Sequence, residues 1–238
     1  MSDTKTFVSN EAEFGKDVAK YILAEAKKHI LEKNIFRLVL SGGRTPIEIF
    51  KNLVDIQCEV DWGKIELFWV DERCVQIESE DSNYGNCERV LIDNLKVKPV
   101  VFPMYFSGDA RCSAIKYQET LQSHFKDPAV PVFDLMLLGV GEDGHVASIF
   151  PDSLLSAEED NGVFVKNVES QALSRITLTF PVIHLAETRL FIAKGVEKKW
   201  VYEECVDSKN NKSDIPACLA QSVKGNNIWF VSQDVVGI

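Results

Sequence analysis

The sequence predicts an α/β protein with three layers, in which helices cover both faces of a mainly parallel central sheet. Two observations support this fold class. Short apolar segments alternate with helical patterns along the chain, and most of these segments are continuously apolar rather than alternating with polar residues. A continuously apolar strand is typical of a parallel sheet that helices bury on both faces.

The first predicted element along the chain is a helix, because apolar residues recur every four positions among Lys and Glu between Phe14 and Ile30. Further helices are predicted over 47–54 and 198–205, and long polar loops over 76–88 and 207–214. The predicted strands are 36–40, 65–70, 133–140, 175–180, 189–193 and 227–231.

The composition is that of an ordinary folded protein. The chain has 238 residues and shows no internal repeat or Pro/Gly/Ser-rich linker, so we expect one domain over 1–238. No apolar run is long enough to span a membrane, and the N-terminal segment lacks the features of a secretory signal, which predicts a cytoplasmic protein. A net charge of -10 argues against nucleic acid or an anionic membrane as the main partner.

The six cysteines are scattered along the chain. No C-x-x-C pair occurs and no histidine lies at zinc-finger spacing from them, so we expect neither disulfides nor structural zinc. The cysteines are Cys58, Cys74, Cys87, Cys112, Cys205 and Cys218.

In open parallel sheets, ligands bind beyond the carboxyl ends of the strands. After 36–40 comes SGGRTP, in which Thr45 can cap a helix, Pro46 can open it and Glu48 can complete a capping box. Glycine backbone N–H groups and a helix N-terminus would favour an anion here, although a tight turn without a ligand is the alternative. The candidate phosphate-binding residues are Ser41, Gly42, Gly43, Arg44 and Thr45.

Charged residues also lie at the ends of three other predicted strands. Each is compatible with a solvated surface or a structural ion pair. Gathered at one edge of the sheet, their basic members together with Arg44 would form a positive pocket for a phosphorylated substrate on an otherwise negative protein. These candidates are Asp71 and Arg73 after 65–70, Arg175 at the start of 175–180, and Lys198 after 189–193.

The segment GVGEDGH, 139–145, has the glycine pattern of a dinucleotide-binding loop. Glu142 and Asp143, however, would place negative charge where the pyrophosphate of such a cofactor binds. We therefore interpret the segment as an exposed catalytic turn in which His145, two residues after Asp143, moves a proton; a surface histidine without function is the alternative. The other histidines, whose contexts suggest no catalytic role, are His29, His124 and His184.

Taken in order, these motifs resemble the 6-phosphogluconolactonase family across nearly the whole chain. The longest match is VFDLMLLGVGEDGHVASIFP, whereas SGGRTP and VDER are shared with the related glucosamine-6-phosphate deaminases. The other motifs that carry the resemblance are DSNYG, RITLTFPVIHLA, GVEK, PACLAQ and NIWFV.

The resemblance implies a Rossmann-like fold and hydrolysis of 6-phosphoglucono-δ-lactone to 6-phosphogluconate in the oxidative pentose phosphate pathway, with no redox cofactor and no metal. It implies that His145 is the general base, and we expect Asp143 to hold its ring or raise its basicity. The phosphate would be bound by 41–45 with Arg175 and Lys198. Backbone N–H groups of the glycine turns are candidates for stabilising the oxyanion. The oligomeric state stays open.

Two other functions are less compatible with the sequence. The deaminase branch resembles DGHIAFNEP at the histidine motif, but here Phe150 stands where that motif has a glutamate, and phenylalanine cannot transfer a proton. A sugar-phosphate-responsive regulator would need a DNA-binding module, for which a chain whose first helix starts near residue 11 has no room. A binding protein without activity stays open, although His145 is retained in its motif.

Overall fold

A seven-stranded parallel sheet flanked by helices forms the centre of the molecule. The computed structural model describes residues 4–104, 108–125, 130–151, 165–168, 173–207 and 214–238. The strands are β1 Thr4–Ser9, β2 Phe36–Leu40, β3 Ile65–Trp69, β4 Asp71–Arg73, β5 Val100–Val101, β6 Leu135–Gly139, β7 Val165–Val168, β8 Arg175–Leu178, β9 Thr188–Ala193 and β10 Asn226–Ser232. The α-helices are α1 Phe14–Lys33, α2 Arg44–Asp55, α3 Asn83–Val90, α4 Ala110–Phe125, α5 Phe180–Leu185, α6 Lys199–Tyr202, α7 Pro216–Leu219 and α8 Gln233–Val236.

The order of the main sheet is β1-β10-β9-β6-β2-β3-β5, and all neighbouring strands in it are parallel. From β2 the chain builds the sheet outward through β3 to β5. From β6 it builds the other half through β9 to β10. The order therefore reverses between β2 and β6, and a crevice is expected at their carboxyl ends. The predicted three-layer α/β class with a mainly parallel sheet is confirmed.

The predicted strand over 175–180 is only partly correct. It ends at Leu178, because Phe180 and the following proline open α5, and it does not join the main sheet. Instead β8 pairs antiparallel with both β4 and β7 in a second, three-stranded sheet. A short apolar run does not reveal the direction of its partners, so the sequence could not separate the two sheets.

Three other predictions need correction. The chain forms β1 before the first helix, at a mainly exposed edge of the sheet where no apolar run marks the strand. The loop predicted over 76–88 contains the start of α3, capped by the Ser82 hydroxyl, which accepts from the Gly85 N–H. The helix over 198–205 is a 3-10 turn, then α6, then π-helical Glu203–Asp207. Most of the loop predicted over 207–214 lies outside the described residues.

The expectation of no disulfide is wrong for one pair. Cys205 and Cys218 form a disulfide between the π-helical segment and α7, with their Cα atoms 4.8 Å apart. Thirteen positions separate the two cysteines without a local motif, so only the packing of the two segments brings them together. Cys58, Cys74, Cys87 and Cys112 are not in disulfides.

Among the described helices, none combines the length and the apolar character that crossing a lipid bilayer requires.

Candidate active site

A cavity of about 630 Å³ opens at the carboxyl ends of the main-sheet strands, at the crevice where the strand order reverses. It brings together almost all of the residues that the sequence singled out. Asp143 is the exception, because it lies behind His145 rather than in the wall. The predicted residues in the wall are Ser41, Gly42, Gly43, Arg44, Thr45, Asp71, Arg73, His145, Arg175 and Lys198.

The turn between β2 and α2 forms one wall of the cavity. The predicted capping box is absent: the helix starts at Arg44, and Gly43, with φ 105°, takes the N-cap position without a side-chain cap. Glu48 instead pairs with Lys194 at 2.7 Å, a tertiary partner that sequence reasoning could not foresee. Because no side chain caps the helix, its first N–H groups face the cavity as potential donors to an anion.

Gly42 is required where this turn meets α3. A Cβ at Gly42 would lie 1.7 Å from Oδ1 of Asn83, whose side chain is buried and donates to the Asp71 carbonyl at 2.9 Å. The Ser41 hydroxyl also accepts from the Gly139 N–H at 3.2 Å, which ties the turn to the end of β6. The absence of a side chain at Gly42 thus allows two walls of the cavity to meet.

We expect Gly42→Ala to destabilise the fold by about 1–3 kcal/mol, the usual cost of forcing extra volume into a packed site. Guanidinium unfolding monitored by circular dichroism would measure the change. The matched control is Gly63→Ala, at an exposed position where the nearest atom to a new Cβ is Oδ1 of Asp61, 3.2 Å away. It should change stability by less than about 0.5 kcal/mol. Equal stability of the two variants would contradict the packing role of Gly42.

The side chains of β4 lie in two different environments, one in the cavity wall and one buried away from it. Successive side chains of a strand point to opposite faces, so Asp71 and Arg73 line the cavity while Glu72 points away from it. Glu72 is buried and accepts from the backbone N–H groups of Arg73, Asn83 and Tyr84, all at 2.7 Å. Burial raises the pKa of Glu72 to about 7, although these donors favour its ionised form. Glu72 is therefore a structural carboxylate held by backbone N–H groups, and is neither a surface charge nor part of an ion pair as the sequence suggested for this cluster.

Basic side chains gather in the cavity, as predicted, but without an excess of positive charge. The basic residues in its wall are Arg44, Arg73, Arg175, Lys194 and Lys198. The acidic ones are Glu11, Glu48, Asp71, Glu142, Glu197 and Asp234. The expected positive pocket is thus a mixed one, because the basic groups are balanced by nearby carboxylates. Binding of an anion there would depend on directed donors rather than on net charge.

Arg175 and Lys198 each lie near one carboxylate. The guanidinium of Arg175 lies 4.0 Å from Oδ2 of Asp71 and over the Phe150 ring, 5.5 Å from its centre. Asp71 is held in turn by the Ser148 hydroxyl, which donates to Oδ2 at 2.6 Å. Nζ of Lys198 lies 3.7 Å from Glu142. At these separations the carboxylates orient the two cations loosely and leave N–H donors for a ligand.

The residues 141–145, here called the His145 turn, present the imidazole to the cavity. The Gly141 N–H donates to the His145 carbonyl at 2.8 Å, and the Gly144 N–H donates to the Gly141 carbonyl at 3.1 Å. Gly144 has φ 84°, which favours glycine. A Cβ at Gly141 would lie 2.1 Å from Nδ1 of His145, so the imidazole packs directly on the turn.

His145 and Asp143 form a hydrogen-bonded pair. Nδ1 of His145 lies 2.6 Å from Oδ1 of Asp143, which also accepts from the His145 backbone N–H at 3.1 Å. Burial of Asp143 works to raise its pKa, but the His145 N–H and ring outweigh that effect and lower it. Because an ionised carboxylate only accepts, Nδ1 carries the proton and Nε2 is left as the basic nitrogen.

Three residues that line the cavity or hydrogen-bond to its wall were not predicted from the sequence. Asn83 lines the cavity, and within the described part of the chain its buried Oδ1 has no hydrogen-bond partner; the motif DSNYG was the available signal. Ser148 holds Asp71 through the hydrogen bond that its hydroxyl donates to Oδ2. Trp200 donates from Nε1 to the Glu142 carbonyl at 2.9 Å, and no sequence pattern indicated this contact.

The profile of the family described as "Glucosamine-6-phosphate isomerases/6-phosphogluconolactonase" matches residues 9–229. The chain is 34% identical to a 6-phosphogluconolactonase of Chlamydia pneumoniae over 214 residues, 89% of this chain and 81% of that protein. It is 32% identical to a probable 6-phosphogluconolactonase of Arabidopsis thaliana, over 94% of this chain and 89% of the relative.

Solved structures show the same similarity. The crystal structure of 6-phosphogluconolactonase from Thermotoga maritima matches with a TM-score of 0.82 at 26% identity, covering 97% of this chain and 100% of that one. The enzyme of the same name from Trypanosoma brucei matches with a TM-score of 0.83 at 26% identity, covering 99% and 98%. The similarity therefore includes both halves of the sheet that form the crevice.

Proposed function

Since the chain belongs to the family of glucosamine-6-phosphate isomerases and 6-phosphogluconolactonases, we propose that it hydrolyses 6-phosphoglucono-δ-lactone to 6-phosphogluconate. The observation that carries this proposal is the pairing of His145 with an ionised Asp143 in the same cavity as the basic side chains. Such a cavity can hold a phosphorylated lactone at one end and activate water at the other. The substrate is a small molecule.

His145 acts as the general base. Nε2 removes a proton from water as the water oxygen attacks the lactone carbonyl, and the imidazolium returns that proton to the ring oxygen as the ring C–O bond breaks. Asp143 holds the ring in the productive tautomer and stabilises the imidazolium while it carries the extra proton. These roles require no proton acceptor beyond the two residues.

The oxyanion of the tetrahedral intermediate needs backbone donors that are still available. Hydrogen bonds within the protein already engage the N–H groups of Gly139, Gly141 and Gly144. Backbone N–H groups of the glycine turns that are not engaged in this way are the candidates for the role. The phosphate is assigned to the 41–45 segment with Arg175 and Lys198, and Asp71 and Arg73 complete the binding wall.

Isomerisation of an amino sugar phosphate is disfavoured at this site. The His145 ring packs against Phe150, with the ring centres 4.7 Å apart. An apolar ring at this place offers no carboxyl group for opening a sugar ring. Of the two activities in the family, the site therefore supports lactone hydrolysis over isomerisation.

We expect the purified protein to accelerate hydrolysis of 6-phosphoglucono-δ-lactone without added nucleotide or metal. Because the lactone also hydrolyses on its own, the rate must be compared with the same buffer lacking protein. The product can be followed as 6-phosphogluconate by a coupled dehydrogenase. Glucosamine 6-phosphate serves as the control substrate and should release no ammonia. A lactone rate equal to the background would refute the proposed activity.

A further inference from the structure

The Cys205–Cys218 disulfide joins two segments that both contact the His145 turn. Cys205 lies in the π-helical segment directly after α6, and the chain just before α6 carries Lys198 into the cavity. Cys218 lies in α7. The disulfide lies outside the cavity wall. It connects the end of the α6 segment to α7, and both of these contact the His145 turn.

Each segment holds one backbone carbonyl of the turn. On the α6 side, the Trp200 indole donates to the carbonyl of Glu142 at 2.9 Å. On the α7 side, the N–H of Ala217 donates to the carbonyl of Gly144 at 2.9 Å. These two carbonyls flank Asp143, and Gly144 directly precedes His145. The position of the catalytic pair therefore depends on both segments at once.

Close packing adds to these hydrogen bonds. A Cβ at Gly144 would lie 2.1 Å from Cγ2 of Ile215 and 3.7 Å from the ring of Trp200. The turn is thus packed between residues of the two segments that the disulfide joins. Apart from the disulfide, the Gln221 side chain links them by donating to the Cys205 carbonyl at 3.0 Å. The disulfide is the covalent part of this connection.

We propose that the Cys205–Cys218 pair is a redox modification site that controls the geometry of the His145 turn, with a dithiol as its reductant. The proposal rests on the proposed lactonase function for its readout in activity. With the disulfide formed, the α6 and α7 sides stay at a fixed separation and hold both carbonyls of the turn. With the disulfide reduced, only the Gln221 hydrogen bond and side-chain packing connect the two sides, and the catalytic pair is held less firmly relative to Lys198.

The exchange balances as a two-electron reduction. A thiolate of the dithiol attacks Sγ of Cys218, which is less buried than Cys205; the S–S bond breaks, and Cys205 leaves as a thiolate that takes a proton. The second thiol of the reductant then attacks the mixed disulfide and releases Cys218, which also takes a proton. The reductant ends as a disulfide. Reoxidation by a disulfide compound reverses both steps.

We expect reduction to lower kcat about tenfold, because small displacements of a catalytic group from its productive geometry cost one to two orders of magnitude. The measurement compares the oxidised protein with the same sample after dithiothreitol, in a background carrying Cys58→Ser and Cys112→Ser, which removes the two exposed thiols. Mass spectrometry after alkylation confirms the state of the pair. Reoxidation should restore the activity.

A matched variant separates this site from other thiols. Cys218→Ser should have the low kcat of the reduced protein and should not respond to dithiothreitol. Cys87→Ser, at a buried cysteine outside the disulfide, should keep the full response. Equal kcat in the verified oxidised and reduced states would overturn the proposal, as would a response that persists in Cys218→Ser.

Hydrogen exchange gives a readout that does not depend on the enzymatic activity. Reduction should speed exchange of the Ala217 N–H and of the 141–145 backbone while leaving the main-sheet strands protected. If the protein proved inactive on the lactone, a local change of this kind would still support the redox site, and only the proposed function would fall. Loss of protection throughout the sheet would instead show that the disulfide merely stabilises the fold, and would overturn the proposal.

Discussion

His145→Gln should lower kcat for lactone hydrolysis by about 10²- to 10⁴-fold, the usual contribution of a positioned general base. Glutamine can hydrogen-bond to the attacking water but cannot accept its proton. Binding should survive, because the phosphate is assigned to the 41–45 segment, Arg175 and Lys198, which the change leaves intact. The measurements are kcat, the inhibition constant for 6-phosphogluconate, and the thermal midpoint, all on one preparation.

The pH dependence supplies a second readout for His145. A neutral imidazole is required for base catalysis, so kcat/KM of the wild-type protein should fall as acid protonates the ring. This acidic limb should be missing from the residual activity of His145→Gln. His124→Gln is the matched control, since His124 lies on α4 outside the cavity wall and should keep both activity and profile. A stable His145→Gln variant with near-normal kcat would remove His145 from the mechanism.

Arg175→Ala and Lys198→Ala should each raise KM by about 10- to 100-fold, the equivalent of losing one hydrogen bond to a charged group. A phosphate remote from the reacting carbonyl is held alike in the ground and transition states, so kcat should fall less than KM rises. Some loss of kcat is still expected, because remote binding also positions the reacting centre.

The neighbouring residues offer controls for these two variants. Lys199 adjoins Lys198 but lies outside the cavity wall and is half exposed beside Glu203, so Lys199→Ala should leave KM unchanged. Arg111 is exposed on α4 and lies outside the cavity wall, so Arg111→Ala is the corresponding control for Arg175→Ala. Steady-state kinetics and competition by 6-phosphogluconate measure the effects. If both pocket variants kept the wild-type KM and inhibition constant, the phosphate would have to bind elsewhere.

Most strands of the main sheet, and the cavity at their carboxyl ends, could be predicted because both depend on patterns that repeat along the chain. Continuous apolar runs mark buried parallel strands, and the edge rule then selects the residues after them, such as Ser41 and His145. Arg175 was also predicted correctly to lie at the cavity, but the edge rule does not explain its position. It lies in the antiparallel sheet, where its pairing with Arg73 places it beside the main crevice.

What could not be predicted depends on partners distant in sequence. Glu48 matches a capping box in spacing, but Lys194 offers a stronger electrostatic partner across the fold. Cys205 and Cys218 meet only because two short segments pack together. The orientation of Glu72 away from the cavity could have been predicted, because alternation along a strand places its side chain on the face opposite Asp71 and Arg73. Recognising β4 as a strand was the missing step.

The pairing of β1 with β10 has a consequence for synthesis of the protein on the ribosome. Thr4 lies opposite Asn227, more than 200 positions later in the sequence, so β1 has no partner until the ribosome has synthesised β10. Helix α1 and the half-sheet of β2, β3 and β5 can assemble earlier from neighbouring segments. Until β10 and then β1 dock, this side of the sheet ends in an unpaired strand of the kind that promotes association between partly folded chains. The pairing of β1 with β10 therefore covers that edge with a strand from a distant part of the sequence.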